Sequence, residues 1–453
     1  MRYNTYALFI YQGECQLMST LRDSVNSPEI RKKVFFTCLI VTVLCVLTLI
    51  PVPGLNYAVA TYTAAGWGSV GFIIDVLSMK GFENISIVSL GIYPFLVASI
   101  VMQIVTLAVP KLRALAQMGD EGTKKITKLT RIASIISSVV FAVLYCVGMR
   151  NAVTTSINYW VAIVLCGVSI TVGNAFCGWC VELLNTKGIG DGLTIILVAG
   201  ILRDLPHELA RCFDDANTLG IVPGLTYAIF GALLFAGLIF FVIFINMGEK
   251  KIRIIFSKRT VGMKQYGMQN QVVPLKVAQA GITPIIYTLT VTLIPSVIIA
   301  MVVPGTDTKW AESWKNLPTS VAYIPFFIVF LVFFTYLFAM MQFNPFDMSS
   351  QIKQNGGYIQ GIKPGKPTSQ YLMNLYNNLN SADCFYLILF CVLPMALSFI
   401  PGFDRIAFGG IAVVLVGGGF IEMKTLLDNA LKTEEEQLKA AGKDKRRKNY
   451  NKK

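Results

Sequence analysis

Ten apolar runs, each about as long as a bilayer is thick, recur along this chain and restrict it to a helical fold embedded in a membrane. They lie at 34–50, 88–109, 132–149, 158–180, 189–203, 224–246, 281–303, 322–342, 383–400 and 406–424. A hydrocarbon core of about 30 Å takes about 20 helical residues to cross, and lipid offers the backbone no hydrogen-bond partner, so each crossing must satisfy its own amides. With 54% of residues hydrophobic, 14% charged and a mean hydropathy of +0.61, a soluble globule is excluded, because about a quarter of a soluble domain is charged. The expected fold class is an all-α polytopic membrane protein, and ten crossings return the chain to the side on which it began.

Cations set the orientation, since Lys and Arg beside short spans stay cytoplasmic. One set of loops carries Lys111, Arg113, Lys124, Lys125, Lys128 and Arg131, then Lys250, Lys251, Arg253, Lys258, Arg259, Lys264 and Lys276. The alternate loops hold Lys80, Arg150, Arg203, Arg211, Lys309, Lys315 and Arg405. The topology expected is N-in, C-in. The net charge of +14 is spread over separated loops and a tail, which argues against DNA. It has two readings, the orientation rule alone or an acidic partner such as ribosomal RNA or a motor protein. The tail 431–453, with Lys443, Lys445, Arg446, Arg447 and Lys448, reads as a disordered electrostatic tether.

A polar segment, QFNPFDMSSQIKQNGGYIQGIKPGKPTSQYL from Gln342 to Leu372, interrupts two apolar runs. Gly356, Gly357, Gly361 and Gly365 supply positive φ, and Pro364 drives Lys363 out of the helical region, so a structured loop is expected to present Lys353, Lys363 and Lys366. The segment KIRIIFSKR from Lys251 alternates as a strand does, with Gly262 and Gly267 nearby for a hairpin turn. Ten cysteines and a single histidine, His207, form no metal-ligand spacing; Cys177 and Cys180 make a lone CxxC inside an apolar run, and small hydrophobes explain such residues best. Neither metal nor cofactor is expected. Residues 1–17 lack the charged start and cleavage site of a signal peptide, and translation is expected to start at Met18.

Ordered motifs carry a family resemblance: Ile50-Pro51-Val52-Pro53-Gly54, Leu90-Gly91-Ile92-Tyr93-Pro94-Phe95, Gly188-Ile189-Gly190-Asp191-Gly192, Pro274-Leu275-Lys276-Val277, and the loop from Gln342 to Gly365. In that order they resemble the SecY family, whose members form the central channel of the bacterial protein translocase, over Met18 to about Lys439. The resemblance implies two inverted five-helix halves around a pore, here 34–204 and 205–430 after a cytoplasmic segment 1–33, with a plug at 67–87 and cytoplasmic loops at 247–280 and 343–382. It implies a pore ring of Ile92, Leu96, Leu193, Leu197, Ile286 and Leu415; an aliphatic ring blocks ions by dewetting, though any one of these residues also suits ordinary helix packing. A lateral gate would use Gln103 with Ala278 and Gln279, and partners would dock on Lys250, Lys251, Lys258, Arg259, Lys353, Lys363 and Lys366. Implied partners are SecE, SecG, the SecA ATPase, the ribosome, membrane lipid and the secretory and membrane proteins that pass through. The implied location is the bacterial cytoplasmic membrane.

The chain departs from the family at several points. Ala278 stands where many members have Asn, Lys363 replaces the Arg of a GIRPG motif and loses its planar fork, Met79-Lys80-Gly81 replaces a glycine cluster, and Gly119-Asp120-Glu121-Gly122-Thr123 replaces GExGR. These departures leave open an accessory channel with fewer substrates, although the full-length loops favour the housekeeping channel. The plug segment also admits the reading of an ordinary external loop. A secondary transporter would place ionisable groups at mid-membrane, whereas Asp75, Glu182, Asp383 and Glu422 lie near span ends or in the interrupted segment. An enzyme is not expected: there is neither a HExxH motif nor a phosphate-binding loop, so energy must come from a partner.

Overall fold

The computed structural model of the chain describes residues 28–203 and 248–397, less 68, 117, 155–157, 257–258, 262–263, 267–269, 277–280, 282, 304–308, 343–344 and 355, together with isolated positions between 233 and 246 and residue 419. The helices are α1 (Pro28–Leu47), α2 (Tyr57–Ala65), α3 (Ser69–Leu77), α4 (Tyr93–Ala108), α5 (Pro110–Ala116), α6 (Asp120–Gly148), α7 (Tyr159–Lys187), α8 (Gly192–Arg203), α9 (Thr283–Val302), α10 (Lys309–Lys315), α11 (Tyr323–Gln342), α12 (Pro345–Gln354) and α13 (Lys366–Leu397). The strands are β1 (Glu249–Phe256), β2 (Arg259–Val261), β3 (Lys264–Tyr266), β4 (Asn270–Lys276) and β5 (Gly357–Ile359). The expected spans 224–246 and 406–424 fall outside the described residues save for those isolated positions, as do the first 27 residues and the tail 431–453.

Each of the other eight expected spans coincides with a helix. Among the described residues α6, α7, α9 and α11 are long and apolar enough by themselves to cross a bilayer. The remaining four fall short for local reasons. α1 opens with Arg31, Lys32 and Lys33, α8 is short, and the first half of α13 reads KPTSQYLMNLYNNLN. α4 ends at Ala108 because Pro110 forces Val109 into an extended conformation (φ −96°, ψ 112°), and the path turns by 103° into α5. α13 corrects an expectation. Its 32 residues make a rod of about 48 Å, so the loop expected at 343–382 is already helical from Lys366. A helix longer than the hydrocarbon core extends its polar first half beyond it.

The helices form one continuous body. α6 packs along α4 on one side and α7 on the other, while α9 touches α4, α6, α3 and α11, and α11 packs on α13. A large hydrophobic core joins residues of α1, α3, α4, α6, α7, α8 and α9. A second core, with Ile285, Phe327, Leu331 and Phe390, fills the space between α9, α11 and α13. α9 is rich in hydroxyls, of which Thr288, Thr290 and Thr292 each donate to the carbonyl four residues back at 2.7 to 2.8 Å, while the buried Ser296 Oγ has no partner among the described residues. The all-α expectation holds for the body only. The loops at 247–280 and 343–382 build a sheet in the order β4-β1-β5, and β2 and β3 form a separate hairpin.

Candidate functional site

The site begins at a tight approach between α3 and the start of α4. Gly91 has φ +53°, and a Cβ there would lie 2.4 Å from the Ser78 Cα, so only glycine lets the turn after α3 close against the entrance of α4. Tyr93 and Pro94 then start the helix, with Ile92 and Leu96 four residues apart on one face. On α8, Leu193 and Leu197 repeat that spacing, and α9 adds Ile286. These five expected ring residues, each at most 6% exposed, belong to the same buried cluster as Val70, Ile74 and Leu77 of α3. Leu415 lies outside the described residues. Four positions further on, Gly419 approaches α8 so closely that a Cβ would sit 2.5 Å from Val198 Cγ2. Branched aliphatic side chains from α4, α8 and α9 thus share one buried core with Val70, Ile74 and Leu77, the apolar residues of the short helix α3.

Beside it runs a polar seam between α4 and α9. Gln103 Nε2 donates to Tyr287 Oη at 2.8 Å, and the Ser99 hydroxyl shares a hydrogen bond with the same oxygen at 3.0 Å. Tyr93 Oη reaches the Thr290 carbonyl at 3.5 Å. The Tyr287 ring packs on Phe338 and Phe334 of α11, centroids 5.0 and 6.4 Å away. A further hydroxyl pair, Thr292 and Tyr323 at 2.8 Å, ties α9 to α11. Sequence reasoning sought the partner of Gln103 at Ala278 and Gln279, which lie outside the described residues, and missed Tyr287. A signal was present: Ser99 and Gln103 are an i, i+4 polar pair in an apolar run, and a mid-span tyrosine needs a partner for its hydroxyl.

Among the described residues, two acidic side chains are buried in the body. Arg131 of α6, half-exposed, pairs with the buried Glu182 of α7 through Nε at 2.7 Å and through Nη2. Asp383 is fully buried on α13. Among the described residues no three His, Cys, Asp or Glu side chains gather as metal ligands do, and Cys177 and Cys180 are buried free thiols.

Several of the residues expected to dock partners lie on or beside a three-stranded sheet built from two distant parts of the chain. β1 pairs antiparallel with β4, from Glu249 opposite Lys276 to Ile255 opposite Asn270, and its other edge takes β5, with Ile254 opposite Ile359. Alternation then sorts the side chains. Ile252, Ile254 and Ile359 are buried with Leu275, Ile352 and Leu372, while Lys250, Lys251 and Arg253 are exposed. Lys353, Lys363 and Lys366 are exposed as well. Arg259 lies on β2, and Lys258 lies outside the described residues. The loop holding Lys363 is fixed from behind: Ser349 of α12 donates to the Gly365 carbonyl at 3.0 Å and Thr368 to the Lys363 carbonyl at 2.9 Å. Gly361 and Gly365 take the positive φ expected of them, +83° and +105°. The ammonium group of Lys363 is thereby presented on a rigid backbone.

Comparison with known proteins gives the family and the fold. Residues 86–423 match the family model described as SecY. The protein translocase subunit SecY of Corynebacterium glutamicum is 31% identical over 399 residues, which is 83% of this chain and 88% of that protein. Two solved structures share the fold at low identity. One is a SecY protein whose plug domain stabilises the closed state of the translocation channel (TM-score 0.59, 16% identity, 88% of this chain and 92% of that one). The other is Sec61 in a canine ribosome-channel complex (TM-score 0.57, 15% identity, 88% and 92%). With its motifs in order, most of its length matched by the family model and a relative this similar along nearly the whole chain, the protein belongs to the SecY family.

Proposed function

We propose that this chain is the channel subunit of a bacterial protein translocase, passing unfolded secretory proteins across the cytoplasmic membrane and releasing apolar segments sideways into lipid. The observation that carries the reading is the burial of Ile92, Leu96, Leu193, Leu197 and Ile286, from three separate segments, in the same hydrophobic core as α3, which we read as an aliphatic constriction stopped by that helix. Such a constriction is impermeable to hydrated ions when closed and has no group that would bind a passing chain. In this reading the protein has ten spans in two inverted halves, 34–204 and 205–430, and Leu415 completes the ring.

The segment from Ser69 to Leu77 is the plug. The seam of Ser99, Gln103 and Tyr287 is the lateral gate, joined by residues 278 and 279. The β4-β1-β5 platform offers its lysines to the SecA ATPase or to the ribosome, which drive transport, and SecE and SecG complete the membrane complex. No catalytic step is assigned to this chain. Orientation N-in and C-in is supported by the cations, with Lys124, Lys125, Lys128, Lys250, Lys251 and Arg253 on one set of loops. Vesicles holding the chain with SecE are expected to import a secretory precursor when SecA and ATP are added. Solute counterflow without precursor would instead mark a transporter.

A further inference from the structure

The turn that follows α3 is strained. Met79, Lys80 and Ile85 have φ of +53°, +63° and +46°, a left-handed region that residues with a Cβ enter at a steric penalty and hold only where the surroundings enforce it. Part of the enforcement is local. Phe82 N donates to Ser78 Oγ at 3.0 Å, Glu83 N to Asp75 Oδ1 at 2.8 Å, and Ser86 Oγ to the Gly81 carbonyl at 2.9 Å. Those bonds lie within 75–86 and would travel with the segment. Another restraint reaches in from elsewhere: Arg203, the last residue of α8, donates through Nη1 to the Met79 carbonyl and to Thr48 Oγ1, both at 2.6 Å. One guanidinium nitrogen thus ties the strained carbonyl to the ends of α1 and α8. Gly200, one turn earlier, brings α8 against α3, since a Cβ there would lie 2.6 Å from the Val76 carbonyl oxygen.

We propose that Arg203 is the latch of the plug and the Met79-Lys80 turn its spring. This rests on the channel reading above. While the guanidinium holds the Met79 carbonyl, the turn stays left-handed and α3 stays under the aliphatic ring. When the two bonds break, the turn relaxes toward ordinary backbone conformations, and α3 loses the geometry that seats Val70, Ile74 and Leu77. Arg203 is therefore a positioning residue, and the backbone preference at position 80 sets how hard the plug pushes against its latch.

The two halves of the device have opposite signs, which supplies the test. Resting ion conductance is measured in planar bilayers for the full chain with its partner subunits. A variant lacking residues 69–77 serves as the open control. Arg203→Gln is expected to raise conductance on the order of tenfold, from the loss of a charge-assisted pair of bonds. Lys80→Gly, which accepts positive φ without penalty, is expected to leave the parent tight and to return the Arg203→Gln variant toward parental conductance. A protein merely misfolded by the arginine change would not be rescued by that second substitution. Parental conductance from Arg203→Gln beside a conducting deletion overturns the latch alone. Conductance raised by Lys80→Gly overturns the spring. If the deletion itself does not conduct, the channel reading fails and the latch fails with it.

Discussion

Replacing Tyr287 by Phe tests the gate with the least disturbance to packing. The ring stays where it is, against Phe338 and Phe334 at 5.0 and 6.4 Å, and only the hydroxyl that joins Gln103 and Ser99 is lost. Gln103 already has an unpartnered buried Oε1, so the change leaves both ends of its amide unsatisfied in the closed seam. Hydrogen bonds between membrane helices average about 0.6 kcal/mol and reach about 1.7. Two of them lost together cost the closed state about 1–2 kcal/mol, a factor of about 5 to 30 in the open-to-closed ratio. At about 0.8 kcal/mol per buried methylene, that equals the apolar content of one or two methylene groups in a signal segment. A series of signal sequences graded in hydrophobicity, each fused to one reporter, is expected to pass at a threshold lower by that amount. Gln103→Leu is expected to lower it too, and the double variant by less than the sum, because the bond can be lost only once. An unchanged or raised threshold for Tyr287→Phe, at equal protein level, would refute the seam as the gate's restraint.

Three further outcomes follow. Lys363→Ala is expected to lower SecA-stimulated ATP turnover and precursor transport several-fold while leaving the membrane body intact, and Lys363→Arg is expected to retain or raise both; unchanged turnover in Lys363→Ala would remove the loop from coupling. Arg131→Ala is expected to lower thermal stability by on the order of 2 kcal/mol, since it strands the buried Glu182, and Arg131→Ala with Glu182→Gln is expected to recover most of it in a detergent unfolding assay. Gly91→Ala is expected to raise protease sensitivity in 69–87, because its Cβ would press on Ser78, whereas an equal resistance would show that the turn can shift.

What could be read from the residues followed from local physics. Runs of apolar side chains marked the helices, Gly361 and Gly365 marked the turns around Lys363, and alternation in KIRIIF marked β1. What was missed depends on contacts between distant positions. β1 pairs with β5 about a hundred residues on, and a three-residue strand has too little pattern to announce itself. Tyr287 meets Gln103 only because α4 and α9 pack side by side, and Arg203 meets Met79 only because α8 ends beside the turn that follows α3. The bend at Pro110 was legible, since the residue before a proline avoids the helical region, and the apolar run through Val109 hid it. The family resemblance selected the ring positions. Periodicity alone cannot tell an aliphatic residue of a constriction from one in an ordinary core.

The aliphatic ring is the centre of the account, and a photoreactive phenylalanine analogue tests it directly. Placed in turn at Ile92, Leu96, Leu193, Leu197 and Ile286, and at the exposed Val164 and Val168 of α7 as lipid-facing controls, it is illuminated while a precursor is stalled midway. Cross-links from the five ring positions to the precursor, with α7 yielding none, are the predicted result. Cross-links from Val164 and Val168 with none from the ring would contradict the central claim.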